Sequence, residues 1–187
     1  MTFPAGRPRP AAFLDRDGVL NVDIAYLHRP QDFCWVEGAI DAVKTLNIAG
    51  YLVIVATNQS GVARGFYDEA AVEALHAWMN DDLSRHGAHI DAFYYCPHHP
   101  QGTVAHYSRV CSSRKPGPGM LLRAMRDLPV RKEGSFSVGD KDSDMEAARR
   151  ADVPAYLFTG GDLLAFVRQI LDELATPAAS ESPPFAH

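Results

Sequence analysis

Cysteine is scarce: three in 187 residues. Three thiols cannot all pair, so a disulfide scaffold is excluded and a reducing, cytoplasmic setting is expected. Long apolar runs are missing as well. The longest, such as Tyr51 to Ala56, are strand-sized and far short of the ~18 residues that suggest a membrane span. Residues 1–10 hold Pro4, Pro8 and Pro10 with Arg7 and Arg9 but no apolar stretch, which predicts an extended arm rather than a secretion signal. Positive charge is in deficit: 18 Lys+Arg against 23 Asp+Glu give a net charge of −5. A nucleic-acid binder relying on bulk positive charge is thereby excluded. A small phosphorylated ligand is not, because its pocket needs only a few local cations. No internal repeat is visible, and nothing in the composition points to an oligomer, so a monomer is expected.

What remains is an ordinary soluble composition, with 47% apolar and 22% charged residues, long enough to bury roughly two thirds of its unfolded surface without a metal or disulfide. Short apolar runs alternate with amphipathic stretches. Ala11–Leu14, Tyr51–Ala56, Asp91–Tyr95, Phe136–Val138 and Val153–Phe158 read as strands. Ile40, Val43 and Leu46, closed by Gly50, read as a helix; so do Val72, Leu75, Met79 and Leu83 behind a capping Asp68. Further helices are predicted over Pro118–Leu128, from Ser143, and over Asp162–Leu174. Such alternation predicts one doubly wound, Rossmann-like α/β domain over residues 11–174 with a parallel sheet. A Pro- and Ser-rich tail, 175–187, is expected to be disordered. Residues 96–116 lack periodicity and form a loop of about 20 residues, a length that is usually functional in a compact domain.

In parallel sheets ligands collect outside the C-terminal ends of strands, and three polar clusters fall there. Asp15 and Asp17, two residues apart, offer carboxylates to one side of an extended chain, suited to a metal or to a nucleophile with an acid–base partner; Gly18 permits the turn that follows. A calcium loop is excluded, since Tyr26 stands where its bidentate glutamate belongs. Thr57-Asn58-Gln59-Ser60-Gly61 offers hydroxyls and amides to phosphate oxygens. Gly139-Asp140-Lys141-Asp142-Ser143-Asp144 offers oxygen ligands for Mg²⁺. Each cluster alone also suits a polar turn or a helix cap. Their joint occurrence in this order is harder to attribute to independent turns.

Phe13-Leu14-Asp15-Arg16-Asp17-Gly18-Val19-Leu20-Asn21, Thr57-Asn58-Gln59-Ser60-Gly61, Arg114-Lys115-Pro116 and Gly139-Asp140-Lys141 together resemble the haloacid dehalogenase superfamily of phosphatases. The likeness is greatest to its branch acting on heptose 1,7-bisphosphate, beside the histidinol-phosphate phosphatases. That resemblance implies a capless phosphatase with Asp15 as nucleophile, forming an aspartyl-phosphate, and Asp17 as general acid and base. Thr57 and Lys115 would hold the transferring phosphoryl group. Mg²⁺ would sit on Asp15, the Asp17 carbonyl and Asp140, with Asp144 orienting the metal site or Lys115. Asp23 and Tyr26, together with Asn58, Gln59, Ser60, Arg114 and Lys141, would lie against the substrate, Arg114 taking the phosphate that is not cleaved. The expected substrate is the 7-phosphate of heptose 1,7-bisphosphate, in precursor synthesis for lipopolysaccharide. Histidinol phosphate, and a non-catalytic zinc-loop binding module, stand as alternatives.

By the same resemblance, Cys96, His98 and Cys111 match three ligands of a structural zinc, while Ser113 stands where a fourth cysteine belongs. A serine hydroxyl is a poor zinc ligand because its proton is hard to remove. Three outcomes are open: completion by water, His99 or His106; weak binding; or loss of zinc. Cys34, beside Trp35, is expected to be a small buried residue.

Overall fold

The computed structural model describes residues 7–176. The start of the expected arm (1–6) and the expected tail beyond 176 lie outside the described residues. Five strands, β1 (Ala11–Leu14), β2 (Leu52–Asn58), β3 (Ala92–Cys96), β4 (Phe136–Gly139) and β5 (Ala155–Leu157), form one parallel sheet in the order β3-β2-β1-β4-β5. Five α-helices connect or follow them: α1 (Ala39–Ile48), α2 (Glu69–Arg85), α3 (Gly119–Asp127), α4 (Asp142–Arg150) and α5 (Leu163–Ala175).

Alternation along the strands divides the core in two. Ala12 and Leu14 of β1 and Val53 and Val55 of β2 face Val43, Leu46, Leu75, Met79 and Val167 of α1, α2 and α5. Ala11, Phe13, Leu52, Ile54 and Ala56 face Met120, Leu121, Ala124 and Ala148 of α3 and α4. Strands buried on both faces are why these runs are continuously apolar.

Helix starts follow the expected chemistry. The Asp68 side chain accepts the Ala71 N–H, and that of Asp162 accepts the Leu164 N–H. β1 has the expected limits, and the other strand and helix limits depart from expectation by no more than two residues. Residues 9–10 are tied to the sheet: Arg9 N–H donates to Pro129 O, and Leu52 N–H to Pro10 O.

Cys34 is exposed, contrary to expectation. Phe33 and Trp35 turn inward, edge-on to each other at 4.7 Å, and alternation in this extended stretch sends the residue between them outward. Among the described residues no helix is long and apolar enough to cross a membrane, and no further domain is inserted between β1 and β2. The sheet order reverses direction at β1, between β2 and β4, so a crevice opens beyond the C-terminal ends of those three strands.

Candidate active site

The crevice is a pocket of about 380 Å³ lined by Asp15, Asp17, Asp23, Tyr26, Thr57, Asn58, Gln59, Ser60, Arg114, Lys115 and Lys141, together with Asp144. Every residue predicted from the first two motifs and from Arg114, Lys115 and Lys141 thus converges on one hollow. Ala25, between the expected contacts Asp23 and Tyr26, and Ser143, from the last strand-end cluster, also line it; so does Tyr67, which carried no signal in the sequence.

Asp15 extends the β1 ladder by donating its N–H to Val138 O at 2.9 Å. Its Oδ1 accepts the Arg16 N–H at 2.7 Å and faces Lys115 Nζ at 2.9 Å. Lys115 is buried; its ammonium also donates to Ala56 O at 2.8 Å and pairs with Asp144 Oδ1. One ammonium therefore serves two buried carboxylates. Burial pushes the Asp15 carboxyl up to about 6; Lys115 opposes that, and Asp144 adds to it. Burial works against the charge on Lys115, but Asp15 and Asp144 outweigh it and raise its pKa.

Asp140 leaves the end of β4 and meets Lys141 Nζ at 3.3 Å. Its Oδ1 is buried and has no hydrogen-bond partner among the described residues. Carboxylate oxygens of Asp15, Asp140 and Asp144 all lie within 4.8 Å of one another. Burial, partly offset by Lys141, raises the Asp140 pKa. Hard oxygen donors, an orphaned acceptor and an excess of negative charge together fit Mg²⁺. Glycine is required at Gly18: φ is 89°, and a Cβ there would overlap Asp140 Oδ2.

Asp17 sits in a ring of donors. Oδ1 accepts from Arg16 Nη2 at 3.1 Å and Asn21 Nδ2 at 3.0 Å; Oδ2 accepts from Arg16 Nη2 at 3.0 Å and Gln59 Nε2 at 3.0 Å. Arg16 is fully buried and also donates to Leu27 O and Gln59 Oε1. Its Nη1 lies 3.4 Å from Nε2 of His76, which stacks on Phe93 with ring centroids 4.4 Å apart. Burial, helped by Arg16, pushes His76 down to about 3, so the imidazole stays neutral and can accept. Arg16 stood in the motif with no role assigned to it. The only sequence signal was a cation wedged between two acids.

Asn58 acts through another residue. Its side chain accepts Lys115 N–H at 3.0 Å and donates to Lys115 O at 3.1 Å, clamping the main chain of the lysine it faces. Asp23 accepts the Ala25 N–H at 2.9 Å and meets Lys141 at 3.1 Å. Tyr26, in the left-handed region at φ 54°, stands edge-on to Phe66 at 4.7 Å. Arg114 Nη1 donates to His98 O at 3.3 Å, joining the pocket to the long loop.

Ligand atoms of Cys96, His98 and Cys111 lie within 4.8 Å of one another. The soft donors suit zinc in kind, but they are three where a closed structural site has four. Burial pushes the Cys96 thiol up to about 12, while Arg109 Nη2 sits 2.7 Å from His98 Nε2. Protein contacts also secure this loop: Tyr107 and Tyr95 both donate to Glu69, and the Thr103 and Val104 N–H groups donate to Ala63 O at 2.8 and 2.9 Å.

The HAD-hydrolase-like family model matches residues 112–175. A D-glycero-beta-D-manno-heptose-1,7-bisphosphate 7-phosphatase of Rhodopseudomonas palustris is 48% identical over 180 residues, 96% of this chain and 99% of that protein. One of Escherichia coli is 49% identical over 144 residues, covering 77% of this chain and 75% of that protein. The crystal structure of D,D-heptose 1,7-bisphosphate phosphatase from B. bronchiseptica, complexed with magnesium and phosphate, superposes with a TM-score of 0.77 at 34% identity, covering 88% of this chain and 99% of that one. Likeness of this extent, spanning nearly the whole chain, means that the chain belongs to the D-glycero-beta-D-manno-heptose-1,7-bisphosphate 7-phosphatase family of HAD-like hydrolases.

Proposed function

We propose that this chain is a Mg²⁺-dependent phosphatase that removes the 7-phosphate of D-glycero-β-D-manno-heptose 1,7-bisphosphate. The β anomer is taken from the names of the relatives. The observation that carries the reading is the state of Asp15. Its Oδ1 is tied to Arg16 N–H and Lys115, which leaves Oδ2 toward the pocket as the nucleophilic oxygen. That oxygen attacks phosphorus, the bond to the sugar O7 breaks, and Asp17 gives O7 its proton. Asp17 then takes a proton from water, which attacks the phosphorus of the aspartyl-phosphate; inorganic phosphate leaves and Asp15 is restored. Lys115 and the Thr57 hydroxyl hold the oxygens of the moving group, since phosphoryl transfer depends mainly on positioning and charge neutralisation. Asp15, the Asp17 carbonyl and Asp140 would hold Mg²⁺, which supplies positive charge beside those oxygens when bound. Arg114, with its planar fork, takes the phosphate that stays, and Asp23, Tyr26 and Lys141 face the rest of the substrate.

The same reading places the reaction in the cytoplasm, in precursor synthesis for lipopolysaccharide, with the chain acting as a monomer. Three free cysteines accord with a reducing compartment. The test is phosphate release, with Mg²⁺, from both anomers of heptose 1,7-bisphosphate and from histidinol phosphate. The β bisphosphate is expected to give the highest kcat/KM. Preference for histidinol phosphate would replace the substrate; no release from any of them would remove the enzyme reading.

Zinc on Cys96, His98 and Cys111 belongs to this proposal, with water or a neighbouring histidine in the place of a fourth thiolate. Such a site binds weakly, and the Glu69 and Ala63 contacts hold the loop beside it. Strong chelation followed by restored Mg²⁺ is therefore expected to raise KM for the bisphosphate, by less than about tenfold, and to leave kcat nearly unchanged. Unchanged KM together with no zinc in the purified protein would show that the loop works without metal.

A further inference from the structure

Gln59 was expected among the substrate contacts, but its polar groups are spent inside the protein. The side chain is 1% exposed. Nε2 donates to Asp17 Oδ2 at 3.0 Å and to Thr57 Oγ1 at 2.8 Å. Oε1 accepts from Tyr67 Oη at 2.9 Å and from Arg16 Nη2 at 3.2 Å. Its N–H donates to Cys96 O, and its carbonyl accepts the Val62 N–H. Two amide protons and two lone pairs are all used. The amide orientation is also fixed chemically: flipped, its oxygen would face the Asp17 carboxylate and its NH₂ would face the Arg16 guanidinium.

Two consequences follow for the pocket. A threonine hydroxyl has one proton to donate. Because Gln59 supplies a proton to Thr57 Oγ1, the Thr57 hydroxyl proton is free to point into the pocket at a phosphoryl oxygen. The other Nε2 proton holds Asp17 Oδ2, so the carboxylate that handles the leaving-group proton is aimed by the same amide. We infer that Gln59 is a positioning residue that couples the two halves of phosphoryl transfer, setting Thr57 as a donor to the phosphoryl group and aiming Asp17 at the leaving oxygen. Tyr67 and Arg16 hold it from behind. The inference rests on the phosphatase reading of the site.

The two arms separate by leaving group. A sugar alkoxide needs a proton from Asp17 to leave; p-nitrophenolate does not. Gln59→Glu keeps the size of the side chain but removes both donated protons, and its carboxylate would draw the Thr57 hydroxyl proton away from the pocket. In single-turnover experiments Gln59→Glu is expected to slow cleavage of heptose 1,7-bisphosphate about 100-fold, with KM changed less than about threefold. The burst of p-nitrophenolate from p-nitrophenyl phosphate is expected to slow only about tenfold. In a Thr57→Val background Gln59→Glu should slow that burst no further, because the hydroxyl through which it acts is gone. Cleavage of the heptose ester should still slow in that background. Gln59→Met, which adds no charge, should show the same ordering of losses, with thermal unfolding measured alongside.

Equal fold losses on both esters in both backgrounds would overturn the inference in favour of a general structural role, as would no loss at all. A wild-type chain that cleaves the aryl ester but not the heptose ester overturns the substrate reading alone. Whichever phosphorylated alcohol it does cleave then takes the heptose ester's place in the cycle.

Discussion

Asp15→Asn is expected to lower phosphate release by about 10⁴-fold or more while leaving the protein folded and at least as stable. The loss of rate follows from removing the charged nucleophile; the amide nitrogen that replaces one oxygen cannot form the acyl phosphate. The stability side follows from crowding. Asp15 and Asp144 share the single ammonium of Lys115, and burial raises the Asp15 carboxyl from 3.8 to about 6. A carboxyl whose folded pKa lies above its unfolded value makes the folded state bind the proton more tightly. Its ionisation therefore takes stability away as pH rises from about 3.8 to about 6. Asparagine has nothing to ionise. In metal-free protein, Asp15→Asn should unfold at a higher temperature than wild type above pH 6, with the gain fading as pH falls below 4. Each kcal/mol regained corresponds to roughly 2–4 °C in a domain of this size. Thermal unfolding across that pH range, with chelator present, reads the difference. A variant less stable than wild type at every pH would show that Asp15 is held by more than the shared lysine, and residual turnover near wild type would remove it as nucleophile.

Lys115→Met is expected to fail in both stability and activity. The thioether fits the aliphatic stem, but the two carboxylates that met the ammonium, both buried, are left facing each other, and Ala56 O loses its donor. Removing one member of a buried ion pair costs roughly 3–5 kcal/mol, because the remaining charge has neither water nor partner. Activity should fall by about 10²–10³-fold or more as the charge on the transferring phosphoryl group loses its fixed counter-charge. Mg²⁺ should restore part of the stability, since it would bring positive charge to the same carboxylates, but should not restore the rate. Urea unfolding with and without Mg²⁺, beside single-turnover kinetics, separates the two effects. Lys115→Arg is not expected to rescue either. Nζ reaches Asp15, Asp144 and the Ala56 carbonyl from one point, which the planar guanidinium fork cannot imitate. Wild-type stability in Lys115→Met would mean that Asp15 or Asp144 is neutral in the free protein.

Much of this was legible along the chain, for local reasons. The strands advertise themselves as apolar runs because both faces of the sheet are covered. Asp68 and Asp162 mark helix starts because a capping carboxylate satisfies amides only two or three residues away. Asp15, Thr57 and Asp140 fall just past or at strand ends, where the fold class alone says that a crevice opens.

Roles that depend on distant partners were not legible. Asn58 reads as a substrate contact, but it holds the main chain of Lys115, 57 residues away. Gln59 reads the same way, yet its amide is divided among Asp17, Thr57, Tyr67 and Arg16. Arg16 carried no assigned role in its motif, yet it is fully buried and lies against His76, sixty residues on. Cys34 reads as a buried thiol and lies outside, because its two aromatic neighbours claim the interior.

By itself the scarcity of cysteine, of long apolar runs and of positive charge narrowed the class of molecule, the alternation of short apolar runs with amphipathic stretches determined the α/β fold, and the order of four short motifs carried the family resemblance that implied the chemistry. Composition, periodicity and short motifs are all properties of neighbouring residues. Which oxygen of Asp15 is tied to Lys115, which group donates to the Thr57 hydroxyl and what a loop with three zinc-type ligands rests on were decided only in the tertiary structure. Each depends on the direction of a hydrogen bond or the sharing of a charge between segments that the sheet brings together.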